Sequence, residues 1–213
     1  MSQNTAWPPS NGLCSPTVPR KDAVFSISHS LSIDAPASEV FEHVLQTADY
    51  EKWNTWVPNA KIVQQPSSEH DFGRLRNGSI FEFYVIMDAA KPSKTTTTGL
   101  MVTDISTPEQ PTEYIDQDTR EKDGSYTAHL SKVYRVSWKT HGGFASRGLR
   151  SERFHEVIAR GENQCEVRTW EVMGGFLAYT VKWMFQKTLD DKFKLWCEDL
   201  KKYSEEKAGA QGR

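Results

Sequence analysis

Hydrophobic and polar positions divide the chain into a strand-rich middle and one long amphipathic helix at the end. From Phe176 to about Glu206, Val181, Phe185, Leu189, Phe193, Trp196, Leu200 and Tyr203 recur at three- and four-residue steps, forming one apolar stripe. Lys187, Asp190, Lys194, Glu198 and Lys201 fall on the opposite side. The spacing predicts a helix of about eight turns, entered through the pair Gly174–Gly175. Its first half, Phe176–Phe185, is apolar nearly all round, with only Lys182 charged, and so requires cover on more than one side. It reads as a core helix laid on a sheet, as the wall of a ligand cavity, or as both.

Upstream the period changes to two. From Val24, the residues Phe25, Ile27, His29, Leu31 and Ile33 alternate with four serines, which predicts a half-buried strand. A helix from about Pro36 to Gln46 follows, with Val40, Phe41, Val44 and Leu45 on its apolar side. A second, short helix spans about Asp49 to Trp53 and stops before Pro58. Six more strand-like runs come next: Lys61–Gln65, Ser79–Met87, Thr95–Ile105, Leu130–Thr140, Leu149–Ala159 and Gln164–Met173. Glycine-containing turns between them favour antiparallel hairpins. The acidic stretch Ser106–Ala128 reads as a long loop. A run of strands bounded by helices predicts an α+β fold with an antiparallel sheet of about seven strands.

Composition adds boundaries. Residues 1–22 hold Pro8, Pro9, Pro16 and Pro19 among Ser, Asn, Thr and Gly, and are expected to form a disordered tail, dispensable for folding. Residues 23–206 form the domain, and 207–213 a second disordered tail. The net charge of −2 gives no electropositive footprint for nucleic acid or an anionic membrane. No apolar run is long enough to span a membrane and no secretory signal opens the chain, so the expected location is cytoplasmic. Cys14, Cys165 and Cys197 have no metal-ligand or redox spacing and read as reduced. His129 and His141 do not form a zinc motif; glycine-rich nucleotide-binding patterns and hydrolase nucleophile motifs are missing. No metal and no cofactor is expected, and the oligomeric state is unknown.

The first strand followed by IDAPASEVFEHV, the corner DYEKWNTWVP, the strand GSIFEFYVIM, the pair YRVSWK and LRSERFHEV, and the ending from TWEVMGG to LKKY resemble the START-like, or SRPBCC, superfamily. That group includes birch-pollen-allergen-type proteins, coenzyme Q-binding proteins and polyketide aromatase/cyclases. The resemblance covers about Val24 to Tyr203. It implies a helix-grip fold, in which a curved antiparallel sheet wraps the long C-terminal helix around an apolar cavity. No catalytic motif is shared across the superfamily, so no catalytic residue carries over.

Candidate ligand-binding residues are Trp53, Trp56, Phe81, Phe83, Leu177, Val181 and Phe185, whose flat or apolar side chains suit a ring-containing or isoprenoid molecule. The candidate catalytic residue is His29, an ionisable group on an apolar face that could work as general base or acid; its alternative is a satisfied core histidine. Glu82 with Tyr84, Arg135, the pair Arg153–His155 and Glu171 stand at alternate strand positions, where solvent exposure is the competing reading. Two functions follow. One is binding of a hydrophobic or aromatic small molecule such as a lipid, quinone, sterol or polyketide-like metabolite. The other is a natural-product tailoring enzyme, a cofactor-independent cyclase/dehydratase-like lyase or isomerase that orients its substrate in the pocket. A third class is an adaptor acting through the acidic loop.

Overall fold

The alternating segments become one sheet in the computed structural model, which describes residues 6–66, 71–143 and 147–211. The strands are β1 Ala23–Ile33, β2 Asn59–Gln64, β3 Ile80–Val85, β4 Thr96–Ser106, β5 Val133–Thr140, β6 Arg150–Gly161 and β7 Gln164–Gly174. The helices are α1 Ala37–Leu45, α2 Tyr50–Trp53, α3 Gln117–Lys122 and α4 Phe176–Gln211. The curved sheet is antiparallel throughout, in the order β1-β7-β6-β5-β4-β3-β2. This is the expected α+β helix-grip arrangement, with two short helices after the first strand and a long helix at the end.

Register decides which residues share a face. Ile27 stands opposite Glu171, Glu171 opposite Arg153, and Arg153 opposite Trp138, so one row across four strands faces α4. The next row on the same face is His29, Thr169, His155 and Val136. The helix side is packed by Phe193, Trp196, Cys197 and Leu200 of α4 together with Phe25, Ile27 and Ile33 of β1, and by Val40, Phe41, Val44 and Leu45 of α1. Each such side chain buried contributes about 1.5–3 kcal/mol.

The face away from α4 is covered as well. Ser28, Trp170, Phe154 and Ser137 form a row there, and Leu13, Val18, Ile115 and Tyr126 close over it as a second apolar cluster. Phe154 and Trp170 stack with ring centroids 4.9 Å apart, and Tyr126 meets both edge-on. The disordered tail expected of residues 1–22 is therefore corrected from Trp7 onward. The proline- and serine-rich composition masks three apolar groups, Trp7, Leu13 and Val18, that find a hydrophobic face to cover. Gly174 permits the closest approach, since a Cβ there would lie 2.7 Å from the Asp22 carbonyl oxygen.

Polar groups pin this cover down. Glu152, fully buried on β6, accepts from the Thr17 amide at 2.9 Å and from the Thr103 and Tyr114 hydroxyls, both at 2.7 Å. Arg20 forms an ion pair with Asp123 at 2.9 Å. Burial pushes the Asp123 carboxyl up, but Arg20 and the Ser125 amide outweigh it and hold the group at about 2. Arg135 and Glu156, both buried, pair through two hydrogen bonds of 2.8 and 2.6 Å, and the Thr127 amide also donates to Glu156.

Other differences are local. The acidic loop contains α3, whose first turn is capped by Asp116 accepting from the Thr119 amide at 2.9 Å. The C-terminal tail expected at 207–213 is helical through Gln211, because the Lys- and Ala-rich continuation is good helix former and Ala208 packs against the core. Residues 1–5 and 212–213 lie outside the described residues.

The first half of α4 is not covered on all sides as its composition demanded. Phe176, Tyr179, Trp183 and Met184 are exposed, Trp183 to 86%, and only Ala178 among residues 176–191 is fully buried. The inward side of this half meets a cavity, and among the described residues no element covers its outward side. Gly175, at φ +89°, turns the chain into the helix, where a Cβ would lie 2.5 Å from the Gly148 carbonyl oxygen.

Deleting residues 1–22 should cost about 3 kcal/mol or more, roughly 6–12 °C in a chain of this size, read by thermal unfolding. A midpoint unmoved by the deletion would show that the second cluster contributes nothing. Along α4, Phe193→Ala should cost about 3–5 kcal/mol by denaturant titration, whereas Phe185→Ala, 39% exposed at the cavity, should cost about 1 kcal/mol or less. Equal losses would contradict the split between the two halves of the helix.

Candidate functional site

A cavity of about 520 Å³ lies between the first half of α4 and the inner face of β3 to β7. That size accommodates a drug-sized molecule. Its walls are mainly apolar: Trp56 and Val57 from the corner after α2, Phe83 and Val85 from β3, Leu100 from β4 and Trp138 from β5. Met173 of β7 and Val181, Phe185 and Leu189 of α4 complete them. Alternation explains the strand contributions, because Phe83 and Val85 stand two apart on one face of β3 while Glu82 and Tyr84 point to the other. Exposed Asp88, Lys91 and Lys94, between β3 and β4, mark the mouth.

Two charged groups stand in this wall. Arg153 on β6 and Glu171 on β7 are directly opposed across the strand pair, with Ser151 beside them. Arg153 is 4% exposed. Its Nε donates to Thr169 Oγ1 at 3.3 Å, and its Nη2 finds no partner among the described residues. Three aromatic rings surround the guanidinium, with centroids at 4.0 Å for Phe193, 5.1 Å for Trp56 and 5.2 Å for Trp196. Desolvation pulls the Arg153 pKa down to about 10, against the pull of the Glu171 charge, so it stays a cation at neutral pH. Desolvation raises Glu171, against Arg153 and a hydrogen bond with Ser151. A carboxyl with a raised pKa beside a cation can exchange a proton nearer neutrality than a solvated one.

Behind the wall lies His155, fully buried between Trp138 at 4.5 Å and Trp196 at 4.4 Å, with neither ring nitrogen bonded to any described residue. Burial, and next the Arg153 charge, push its pKa well below the ordinary value, so the ring is neutral.

Of the sequence candidates, Trp56, Phe83, Val181 and Phe185 line the cavity. Trp53 lies behind, against Tyr50 and Trp196; Phe81 packs on Phe83 and Trp138 in full burial; Leu177 meets the backbone at Gly148. His29 does share the helix-facing side of β1, but on an edge strand beside Lys194 and Glu198 of α4. Its pKa is lowered by desolvation, as alternation implied, yet it is not part of the cavity wall. Arg135 belongs to the opposite face, paired with Glu156. Sequence reasoning did not name Ser151, Leu149, Met173 and Leu189 for the cavity, and held Arg153 and Glu171 as candidates against the competing reading of solvent exposure. The signal that could have found them is the alternation Ser151-Arg153-His155 on β6, in step with Trp138 on β5.

No family model matches the chain. It is 29% identical over 206 residues to the "Oxopyrrolidines biosynthesis cluster protein O" of Penicillium oxalicum, covering 91% of this chain and 93% of that protein. Among solved structures it is similar to a START superfamily protein from Mycobacterium smegmatis, at 13% identity and a TM-score of 0.55, covering 85% of this chain and 97% of that one. It is also similar to the di-domain ARO/CYC StfQ of the steffimycin biosynthetic pathway, at 11% identity and a TM-score of 0.50, covering 84% of this chain and 44% of that two-domain chain. The likeness to these structures is one of fold, a START-like helix-grip arrangement. No helix among the described residues is long and apolar enough to cross a membrane.

The buried His155 gives a signed pH dependence. Below its ordinary pKa of 6.5 the unfolded chain takes up a proton that the folded protein refuses, so stability is full above that pH and falls as acid is added. This group alone contributes at most about 1.4 kcal/mol per pH unit. Denaturant titrations of His155→Phe between pH 6.5 and 5 should show a shallower loss than the unaltered protein. Identical slopes would move the acid sensitivity to other groups, such as His29 and His43, whose pKa values burial also lowers.

Proposed function

We propose that this protein binds a hydrophobic or aromatic small molecule, of the lipid, quinone, sterol or polyketide-like kind, in the cavity between the sheet and α4. The observation that carries this reading is the apolar cavity of about 520 Å³, walled by Trp56, Phe83, Trp138 and the inner side of α4. Burying the faces of a ring system against such walls supplies affinity in proportion to area, without a dedicated chemical motif. The biosynthesis-cluster name of the Penicillium protein supports a ligand from secondary metabolism. A cytoplasmic setting fits three buried cysteines, all free.

A second reading, a cofactor-independent tailoring enzyme of the cyclase/dehydratase kind, is favoured by one specific feature, the Arg153–Glu171 pair in the wall. Glu171 would move a proton on a bound intermediate, and Arg153 would stabilise negative charge developing on its oxygen. The proton-transfer role proposed from sequence for His29 thus passes to Glu171, because only the latter borders the cavity.

The neutral fluorescent probe N-phenyl-1-naphthylamine should bind at one saturable site. Val181→Trp, which fills the cavity from α4, should weaken it about 10-fold, while Trp183→Ser on the exposed ridge should leave the saturable component unchanged. Binding that never saturates, or that is lost with Trp183, would place the probe on the surface and remove the cavity reading.

A further inference from the structure

Two arginines on neighbouring strands are buried to the same degree and treated in opposite ways. Arg135, 1% exposed, is clasped by Glu156 through two short hydrogen bonds and also donates to the Thr127 carbonyl at 3.1 Å. Its charge is neutralised within the protein. Arg153, 4% exposed, is held by ring faces, which orient a guanidinium without supplying an anion. Its cross-strand neighbour Glu171 acts on it through space, and desolvation raises the Glu171 pKa. Among the described residues its hydrogen bond is to the neutral Thr169 hydroxyl, and Nη2 has no partner. A desolvated cation in this condition is costly unless an anion reaches it.

We infer that the cavity selects ligands carrying an acidic oxygen, a carboxylate or an enolate, on a flat apolar body, inserted with that oxygen towards Arg153. This rests on the cavity being the ligand site. The planar guanidinium fork suits two-oxygen acceptors, and Trp56, which already stacks near the guanidinium, continues into the apolar wall that receives the rings. At the mouth, Lys91 is paired with Asp88 at 3.5 Å, and Lys94 adds a further cation to the approach. Glu171 limits the preference: its charge partly offsets Arg153, so protonating or neutralising it strengthens the anion's hold.

The test uses two probes of nearly the same shape, 2-naphthoate and neutral 2-naphthamide, titrated calorimetrically at constant ionic strength into the full chain. The unaltered protein should bind naphthoate at least 10-fold more tightly than naphthamide. Arg153→Met should bring the ratio to about one through a loss of naphthoate affinity, Arg153→Lys should retain part of the preference, and Glu171→Gln should raise naphthoate affinity several-fold. A ratio near one in the unaltered protein, with saturable naphthamide binding, would overturn the anion assignment and leave the cavity reading standing. Saturable binding of neither naphthyl probe nor N-phenyl-1-naphthylamine would overturn both. A naphthoate preference that survives Arg153→Met would assign it to Lys91 or Lys94 instead. Should Arg153→Met fail to fold, the Glu171→Gln result decides: unchanged naphthoate affinity overturns the proposal.

Discussion

Strand β6 is buried on both faces although it carries Glu152, Arg153, His155 and Glu156. Charged groups in such a strand must find partners inside the protein or be neutralised, because the desolvation cost of an isolated ion is several kcal/mol. On the outer face the cost is met by local chemistry. Glu152 and Glu156 collect donors from Thr17, Thr103, Tyr114, Thr127 and Arg135, drawn from the N-terminal segment, from β4 and β5 and from the acidic segment. These hydrogen bonds fix the N-terminal residues and the 107–129 segment onto the sheet, where Trp170 and Phe154 supply the apolar area beneath them.

On the inner face the same constraint is met incompletely. His155 stays neutral between two tryptophans, and Arg153 is oriented by three rings rather than by an ion-paired carboxylate among the described residues. A packed core would exclude such a cation. Here the helix lies against β1 with its second half and leaves a cavity under its first half, so Arg153 and Glu171 border a space that a ligand can enter. Phe176, Tyr179 and Trp183, exposed on the same helix half, are not part of the cavity wall.

What could be read in the chain was the set of elements and their order. Period-two alternation in β1, β3 and β7 and the three-and-four spacing in α4 are local properties, set by where successive side chains point. They placed His29 on the face of Phe25 and Ile27, and Phe193, Trp196 and Leu200 on one stripe. Trp56, Phe83, Val181 and Phe185 could be named for the cavity because aromatic and branched side chains on such a face need cover, whether from protein or ligand. The N-terminal segment was misread because composition counts prolines and serines, whereas Leu13 and Val18 act singly, through a face of the sheet formed some hundred and fifty residues later.

The sequence by itself determined the α+β class, the antiparallel hairpins and the amphipathic helix, since each is decided by the pattern within a few consecutive residues. Tertiary structure alone decided which side of each strand faces the cavity, that His29 stands at the edge beside Lys194 and Glu198, and that Arg153 and Glu171 are opposed in the wall. The physical reason is that alternation distinguishes two faces of a strand without saying what will cover either. The state of a charged side chain depends on that cover: Arg135 is clasped by a carboxylate on the next strand, while Arg153, on the opposite face of the same sheet, is held by rings and one hydroxyl beside Glu171 at the cavity.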